Sequence, residues 1–227
     1  MTELFELKTI LGLACAAQRR NRKYIKDSYT GYPIEESEER IFSNKSLILS
    51  TLGYGDRFTF PPKNLVISEE DIRLSNTLEQ FSQRFVFNAI AAEDDYKFET
   101  SLHTILNKGE ITKNEIGVIA YLPEYYFKYQ QNKKIKKYLD NCEPTYLGEP
   151  TKQLTDLDSE IIEVFKSKNY DAYNVLAIIN NKLASWMSNK ELNLGPAVIV
   201  RAKIKQHSTH YKHGTPTTRL HYVIAAQ

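Results

Sequence analysis

Hydrophobic and polar residues alternate along two segments near the C-terminal end of the chain. Over residues 197–206 the apolar positions are Val198, Val200, Ala202 and Ile204, and the basic positions are Arg201, Lys203 and Lys205. Over residues 218–225 one side holds Leu220, Tyr222 and Ile224, and the other holds Arg219, His221 and Val223. Because a strand turns successive side chains to opposite faces, the pattern predicts two strands, each with an apolar inner face and a cationic outer face. Such a surface suits a polyanion better than a small neutral substrate.

Strand patterns fill the whole segment that follows residue 150. The sequence predicts five strands, at about 154–166, 173–179, 183–187, 197–206 and 218–225. Asn180-Asn181-Lys182 is typical of a tight hairpin turn, and Leu194-Gly195-Pro196 predicts a turn before the fourth strand. Five short strands with no long helix between them predict a small closed β-barrel.

Helical patterns dominate the first two thirds of the chain. Apolar residues at three- and four-residue spacing predict helices over Thr2–Ile25, from Ser68 to about Ala92, over Tyr96–Asn107 and from Thr112 onwards. Pro123 should end or kink the last of these helices, because proline lacks the backbone donor. A lysine-rich helix then follows over Tyr125–Leu139, either as an amphipathic helix with an aromatic core face or as a nucleic-acid contact. The cations that end the first helix fit its dipole, with phosphate contact as an alternative.

A turn-rich stretch at residues 143–150 separates the helical pattern from the strand pattern. We therefore predict an α+β protein with a mainly helical N-terminal domain, 1–145, and a barrel domain, 150–227. Residues 151–227 hold ten Lys and Arg against six Asp and Glu, a net charge of +4, whereas residues 1–150 hold twenty against twenty-two, a net charge of −2. This asymmetry is typical of a binding module joined to a body.

Composition narrows the possible classes of protein further. The charged fraction of 26% and the apolar fraction of 41% are those of an ordinary globular protein. No run of apolar residues approaches the roughly 18 that a membrane-spanning helix needs, so we expect no membrane association. The two cysteines, Cys15 and Cys142, are too few for a disulfide framework or a four-thiolate zinc site, which favours a reducing cytoplasm.

Scattered residues over about 150–227 form a further pattern: Tyr170, Asn180-Asn181-Lys182, Trp186, Leu194-Gly195, Lys205-Gln206-His207, Tyr211-Lys212-His213-Gly214 and Thr217-Thr218-Arg219. In these residues the C-terminal segment resembles the oligonucleotide-binding (OB-fold) domains of bacteriophage and bacterial replication proteins. The resemblance implies a five-stranded OB-fold barrel that binds single-stranded DNA without sequence preference during phage DNA replication or recombination. It also implies the host cytoplasm as the location and other replication proteins as further partners. The loop after the fourth strand is longer and richer in histidine than this family's pattern.

Two kinds of side chain bind an unpaired strand: cations that contact phosphates and aromatic rings that stack on bases. The candidate stacking and loop residues are Tyr170, Tyr173, Trp186, His207, Tyr211, Lys212 and His213. The candidate phosphate contacts are Lys182, Arg201, Lys203, Lys205 and Arg219. Burial in the core is the alternative for Trp186 and Tyr173, and a solvated strand face is the alternative for Lys203 and Lys205. No residue pattern distinguishes DNA from RNA.

Two other functional classes are weighed against this prediction. The sequence has no nucleophile elbow, no metal-binding helix pair and no phosphate loop, so we expect no enzyme, no catalytic residue and no cofactor. Glu93-Asp94-Asp95 is a weak candidate for a divalent ion in a nuclease, and a solvated turn explains it as well. The spacing of His207, His210 and His213 invites zinc, but no cysteine or carboxylate lies near enough to complete a site. A protein-interaction or structural module of a phage replication or virion complex is the other alternative.

Overall fold

The computed structural model describes residues 3–27, 42–54, 64–83 and 97–227. They form two compact units, Met1–Tyr129 and Gln130–Gln227. The described part of the chain contains five helices and a closed five-stranded barrel formed by its C-terminal strands. The predicted fold class, α+β with a C-terminal five-stranded barrel, is therefore confirmed. None of the helices in these ranges is long and apolar enough to cross a membrane.

The first unit contains β1 (Leu4–Glu6), α1 (Leu7–Asn21), α2 (Asn44–Thr51), α3 (Glu69–Ser82), α4 (Lys97–Leu106), β2 (Glu110–Thr112) and the start of α5 (Ile116–Asp140). The second unit contains the end of α5, β3 (Gln153–Lys166), β4 (Tyr173–Ile179), β5 (Lys182–Ser188), β6 (Gly195–Thr209) and β7 (Pro216–Ala226).

Helix α1 is the centre of the N-terminal core, and its residues from Ile10 to Gln18 are all buried. The prediction of one helix from Thr2 was wrong at its start, because Leu4–Glu6 pairs as a strand with Glu110–Thr112. Near the end of α1, the Arg19 guanidinium donates to both carboxylate oxygens of Asp71. Arg19 therefore helps to hold α1 against α3 within the first unit.

Side-chain caps precede α3 and α5, and the helix predicted from Thr112 begins only at Ile116, because Thr112 ends β2. Ser68 and Asp71 form a reciprocal capping box at the start of α3. Ahead of α5, the Glu115 carboxylate accepts from the backbone N–H and the hydroxyl of Thr112. The hydrogen bond from the Lys108 ammonium is the largest cause that lowers the pKa of Glu115 to about 2, and the Thr112 donors contribute less. The predicted extension of the Ser68 helix to Ala92 lies outside the described residues.

Pro123 does not end its helix, so the predicted end at this residue was wrong. Helix α5 runs through the proline from Ile116 to Asp140. Proline removes one intrahelical hydrogen bond and crowds the carbonyl of the preceding turn. Ile119, Ala120 and Leu122 are fully buried on this stretch of the helix, so apolar packing offsets the missing bond.

The barrel closes in the order β3-β4-β5-β7-β6, with β6 returning to pair with β3. All neighbours are antiparallel except β5 and β7, which pair in parallel over Leu183–Ser185 and Thr217–Arg219. The predicted hairpin is confirmed: Asn180 and Asn181 both have positive φ, which a two-residue hairpin turn of the I′ type needs. The interior is filled from every strand by the apolar residues of one core.

The outer faces of β3, β4 and β5 are partly covered by the end of α5. Ile135 of the helix is 1% exposed and packs in one cluster with Ile162, Leu176 and Leu183 of these strands. The Tyr138 hydroxyl of the same helix donates to Glu160 on β3 at 3.1 Å. The last turns of α5 therefore belong to the structure of the barrel unit.

The predicted faces of β6 and β7 are wrong in part, because both strands bulge. Ala197 and Ile199 face the interior and Val198 and Val200 are exposed, whereas Ala202 and Ile204 face inward as predicted. The register shifts between Ile199 and Arg201, and one extra residue there reverses the alternation.

On β7 the reversal occurs at Tyr222, which has a φ of 53°. Leu220 is buried as predicted, but Tyr222 and Ile224 are exposed, and Val223 and Ala225 pack against the core in their place. A left-handed residue within a strand shifts its alternation in the way that a bulge does.

The capping box gives a test of the N-terminal fold. Replacing Ser68→Ala removes the side-chain acceptor for the Asp71 amide, and we expect the free energy of unfolding to fall by about 1 kcal/mol. Urea titration followed by circular dichroism measures this. Ser68→Thr, which keeps a capping hydroxyl, is the matched control; equal losses in the two variants would contradict the capping role.

Candidate nucleic-acid interface

A groove of about 670 Å³ lies on the barrel between two loops, and is called here the barrel groove. One wall is the loop 167–172, which joins β3 to β4, and the other is the loop 210–215, which joins β6 to β7. Five of the residues predicted from the sequence line it: Tyr170, Trp186, Lys205, Tyr211 and Arg219. Loops and one strand face thus bring together residues that lie up to 49 positions apart in sequence.

Strand pairing explains why the cations reach the groove. Arg219 is the parallel partner of Ser185, which in turn pairs with Leu176 on β4. All three side chains line the groove. Lys205 lies at the third register shift of β6, beside Gln206, which pairs with Arg219. The floor therefore carries two cations next to polar and apolar strand residues.

Each groove loop presents one exposed tyrosine. Tyr170 is 66% exposed and Tyr211 is 86% exposed. Backbone hydrogen bonds close both loops: Ser167 N–H donates to Ala172 at 2.8 Å, and His210 N–H donates to Thr215 at 2.8 Å. Gly214 adopts a φ of 66° and donates back to His210, which the tight second loop requires. Both rings are therefore accessible on loops with fixed ends.

Trp186 is not an exposed stacking residue. Its side chain is 5% exposed and packs in the barrel core, opposite Val175 on the neighbouring strand. A ring must present a free face to stack on a base. Core packing, the alternative considered from the sequence, therefore describes Trp186, although the residue is one of those that line the groove.

Four predicted contacts lie away from the barrel groove. Tyr173 is half-buried at the start of β4, on the same inward face of the strand as Val175. Lys182 is at the hairpin end of β5 and pairs with Glu143 at 3.6 Å. Arg201 and Lys203 are exposed on β6, between β3 and β7, and do not line the groove. The basic stripe read from the sequence is thus divided, and only Lys205 of its three members reaches the groove.

The remaining three predicted residues surround the second loop. The His207 ring stacks on Tyr146 with centroids 4.2 Å apart, and the His213 ring stacks on His210 at 4.9 Å. The Lys212 ammonium donates to the Asn132 side-chain oxygen at 2.8 Å. The histidines therefore shape the loop, and Lys212 is at its outer edge.

Sequence reasoning missed two apolar residues in the groove. Phe165 at the end of β3 is 44% exposed and Met187 on β5 is 48% exposed. Asn174 on β4 pairs with both, so the three side chains form one row across the strands. Phe165 and Met187 each follow a residue that packs in the core, Val164 and Trp186 respectively. The alternation along each strand could therefore have predicted that both face outward.

The described residues contain no group of three or more His, Cys, Asp or Glu side chains that could hold a metal ion. The acidic triplet 93–95, considered for a nuclease, lies outside the described residues. Comparisons with protein-family models, with curated proteins and with solved structures found no match to this chain.

The stacked histidines predict how stability depends on pH. Burial lowers the pKa of His210, helped by His213 and Lys212. Burial and Lys212 also lower the pKa of His213, against an opposing effect of Glu163. Below about pH 6.5 the unfolded chain therefore binds more protons than the folded protein does. The contribution of these histidines to stability is fully present above this pH and is lost as the pH falls towards their lowered pKa values.

Urea titrations at pH 7.5 and 5.5 test this prediction. We expect the double variant H210Q/H213Q to lose less stability than the wild type between the two pH values. His103→Gln, which changes a half-buried helix histidine of the other unit, should leave the pH dependence of the barrel transition unchanged. Identical pH dependence in the wild type and the double variant would contradict the lowered pKa values.

Proposed function

We propose that this protein binds single-stranded DNA, with little sequence preference, in the barrel groove. The observation that carries the proposal is the convergence of two exposed tyrosines, Tyr170 and Tyr211, with two cations, Lys205 and Arg219, in one groove. Stacking on aromatic rings tolerates any base, and cations contact phosphates whatever the sequence. This combination is the chemistry that unpaired nucleic acid requires.

The architecture supports the same proposal. Barrels with five strands of this kind bind oligonucleotides on the face of the second and third strands and on the loops after the first and fourth. In this barrel those are β4, β5 and the two loops that carry Tyr170 and Tyr211. A role in phage DNA replication or recombination, suggested by the resemblance of the C-terminal motifs, is part of this proposal.

A protein-interaction role is the second candidate function. It is favoured by the outer side of β6 and β7, where Val198, Val200 and Ile224 are 39%, 40% and 50% exposed. Exposed apolar patches of this kind often mark contacts with proteins. A chain with this role alone would not bind an oligonucleotide, so the measurements below separate the two candidates.

Removing a groove tyrosine should weaken binding strongly. Stacking contributes about 1–3 kcal/mol per base, so we expect Tyr170→Ala and Tyr211→Ala each to raise the Kd for a dT oligonucleotide about 5- to 150-fold. Tyr211→Phe should bind nearly as the wild type does, because stacking uses the ring and not the hydroxyl. Fluorescence anisotropy of a labelled oligonucleotide measures the effect, and a parallel titration with rU tests DNA against RNA.

The control for the tyrosines is Tyr222→Asn. This residue is 74% exposed outside the groove, and its left-handed backbone suits asparagine. Its loss should change the Kd less than twofold. If Tyr222→Asn weakens binding as much as Tyr211→Ala does, the barrel groove is not the binding site.

Salt dependence tests the cations. Binding should weaken as salt rises, with about 0.7 of log–log slope for each phosphate that is neutralised on a single strand. We expect Lys205→Gln and Arg219→Gln each to make the slope shallower by about that amount. Lys203→Gln removes the same charge two residues from Lys205 but outside the groove, and should leave the slope unchanged. A larger effect of Lys203→Gln would restore the stripe predicted from the sequence and overturn the assignment to the groove.

A further inference from the structure

We propose that the path of the bound strand continues beyond the barrel groove onto the basic side of α5, over Lys133 and Lys136. This inference rests on the proposed function, since it extends the same site. It concerns only the end of α5 that belongs to the barrel unit.

The loop that carries Tyr211 touches α5 directly. The next residue, Lys212, donates from its ammonium to the Asn132 side-chain oxygen at 2.8 Å. An amide oxygen accepts this bond without neutralising the charge. A positive group is therefore held at the junction between one wall of the groove and the helix.

Packing fixes which side of α5 faces solvent. Ile135 is buried against Leu176 and Leu183 of the barrel. Successive residues turn by about 100° around a helix, so Lys136 lies about 40° from Asn132, on the side of the loop. Lys133 lies about 100° from Asn132 and about 160° from the buried Ile135, on the solvent side next to it. Both lysines are exposed. Lys134 and Lys137 are exposed as well but are turned further from the loop.

The charges on this side are not used within the fold. Among the described residues, neither Lys133 nor Lys136 forms an ion pair, whereas Lys166 and Lys182 of the same unit pair with Asp171 and Glu143. Exposed lysines beside an anion path gain from phosphate contact, because each neutralised phosphate releases counterions.

The size of this second segment follows from helix geometry. From Asn132 to Asp140 the helix rises about 12 Å, which is the length of a few nucleotides of a single strand. Asp140 follows Lys136 by one turn on the same side and repels phosphate, so the path ends there. The strand should therefore gain affinity over a few nucleotides beyond those held in the groove.

The test compares two oligonucleotides on the full-length protein. A slope of 0.7 per phosphate corresponds to about fourfold in Kd per contact at about 0.15 M salt. We expect the double variant K133Q/K136Q to raise the Kd for dT16 about tenfold or more and to change the Kd for dT6 less than twofold. K134Q/K137Q removes the same charge from positions that are turned on average about 100° further round the helix from the loop, and should change neither Kd more than twofold.

Each outcome has one meaning. Equal effects of the two double variants, or no effect of K133Q/K136Q on dT16, would overturn the extended path while binding of dT6 leaves the proposed function intact. An equal loss on dT6 and dT16 would also overturn a separate second segment. Absence of binding to both oligonucleotides by the wild-type protein would refute the proposed function itself and the extension with it.

Discussion

The parallel pairing of β5 with β7 is the interaction on which the C-terminal structure depends. Three residue pairs, Leu183–Ser185 with Thr217–Arg219, close a sheet that would otherwise have two free edges. Closure removes the unpaired backbone groups that an edge strand exposes. It also carries the loop 210–215 across to the face of β4 and β5. The groove, its second wall and the position of Arg219 are all consequences of this short ladder.

Closing so small a barrel requires strongly bent strands, and the bends are local. Strand β6 pairs with two neighbours over fifteen residues and changes register three times against β7. Each bulge re-aims the side chains that follow it. As a result Ala202 and Ile204 fill the core, Lys205 reaches the groove, and Val198 and Val200 face solvent. The distribution of charge on this surface is thus decided by backbone irregularities and not by alternation alone.

Much of the fold could be predicted because its signals are local. A hairpin turn at Asn180-Asn181, a capping box at Ser68 and strand-length apolar patterns each depend on neighbouring residues. The faces of β6 and β7 could not be predicted, because a bulge inserts one residue at a place set by the partner strand. The continuation of α5 through Pro123 depends on tertiary burial, which the sequence alone does not report.

Of the residues predicted for the candidate site, the two loop tyrosines line the groove, whereas the strand residues divide: Lys205 and Arg219 line it, and Arg201 and Lys203 do not. Tyr170 and Tyr211 lie in turn-rich segments, where exposure follows from composition, and both line the groove. Trp186 differs from them because it lies on a strand, where one position decides between core and solvent. Phe165 and Met187 were missed for the same reason. On strands, chemical type indicates what a residue is able to do, and register decides whether it is in a position to do it.

The covering of the barrel by α5 has a practical consequence for dividing the chain. A cut within the turn-rich stretch at 143–150, where composition alone suggests a boundary, would remove Ile135, which packs against Leu176 and Leu183. The shortened fragment would expose an apolar patch on the outer face of its barrel and would tend to aggregate. A fragment intended to fold by itself should instead begin near Gln130, so that the last turns of the helix still cover this apolar patch.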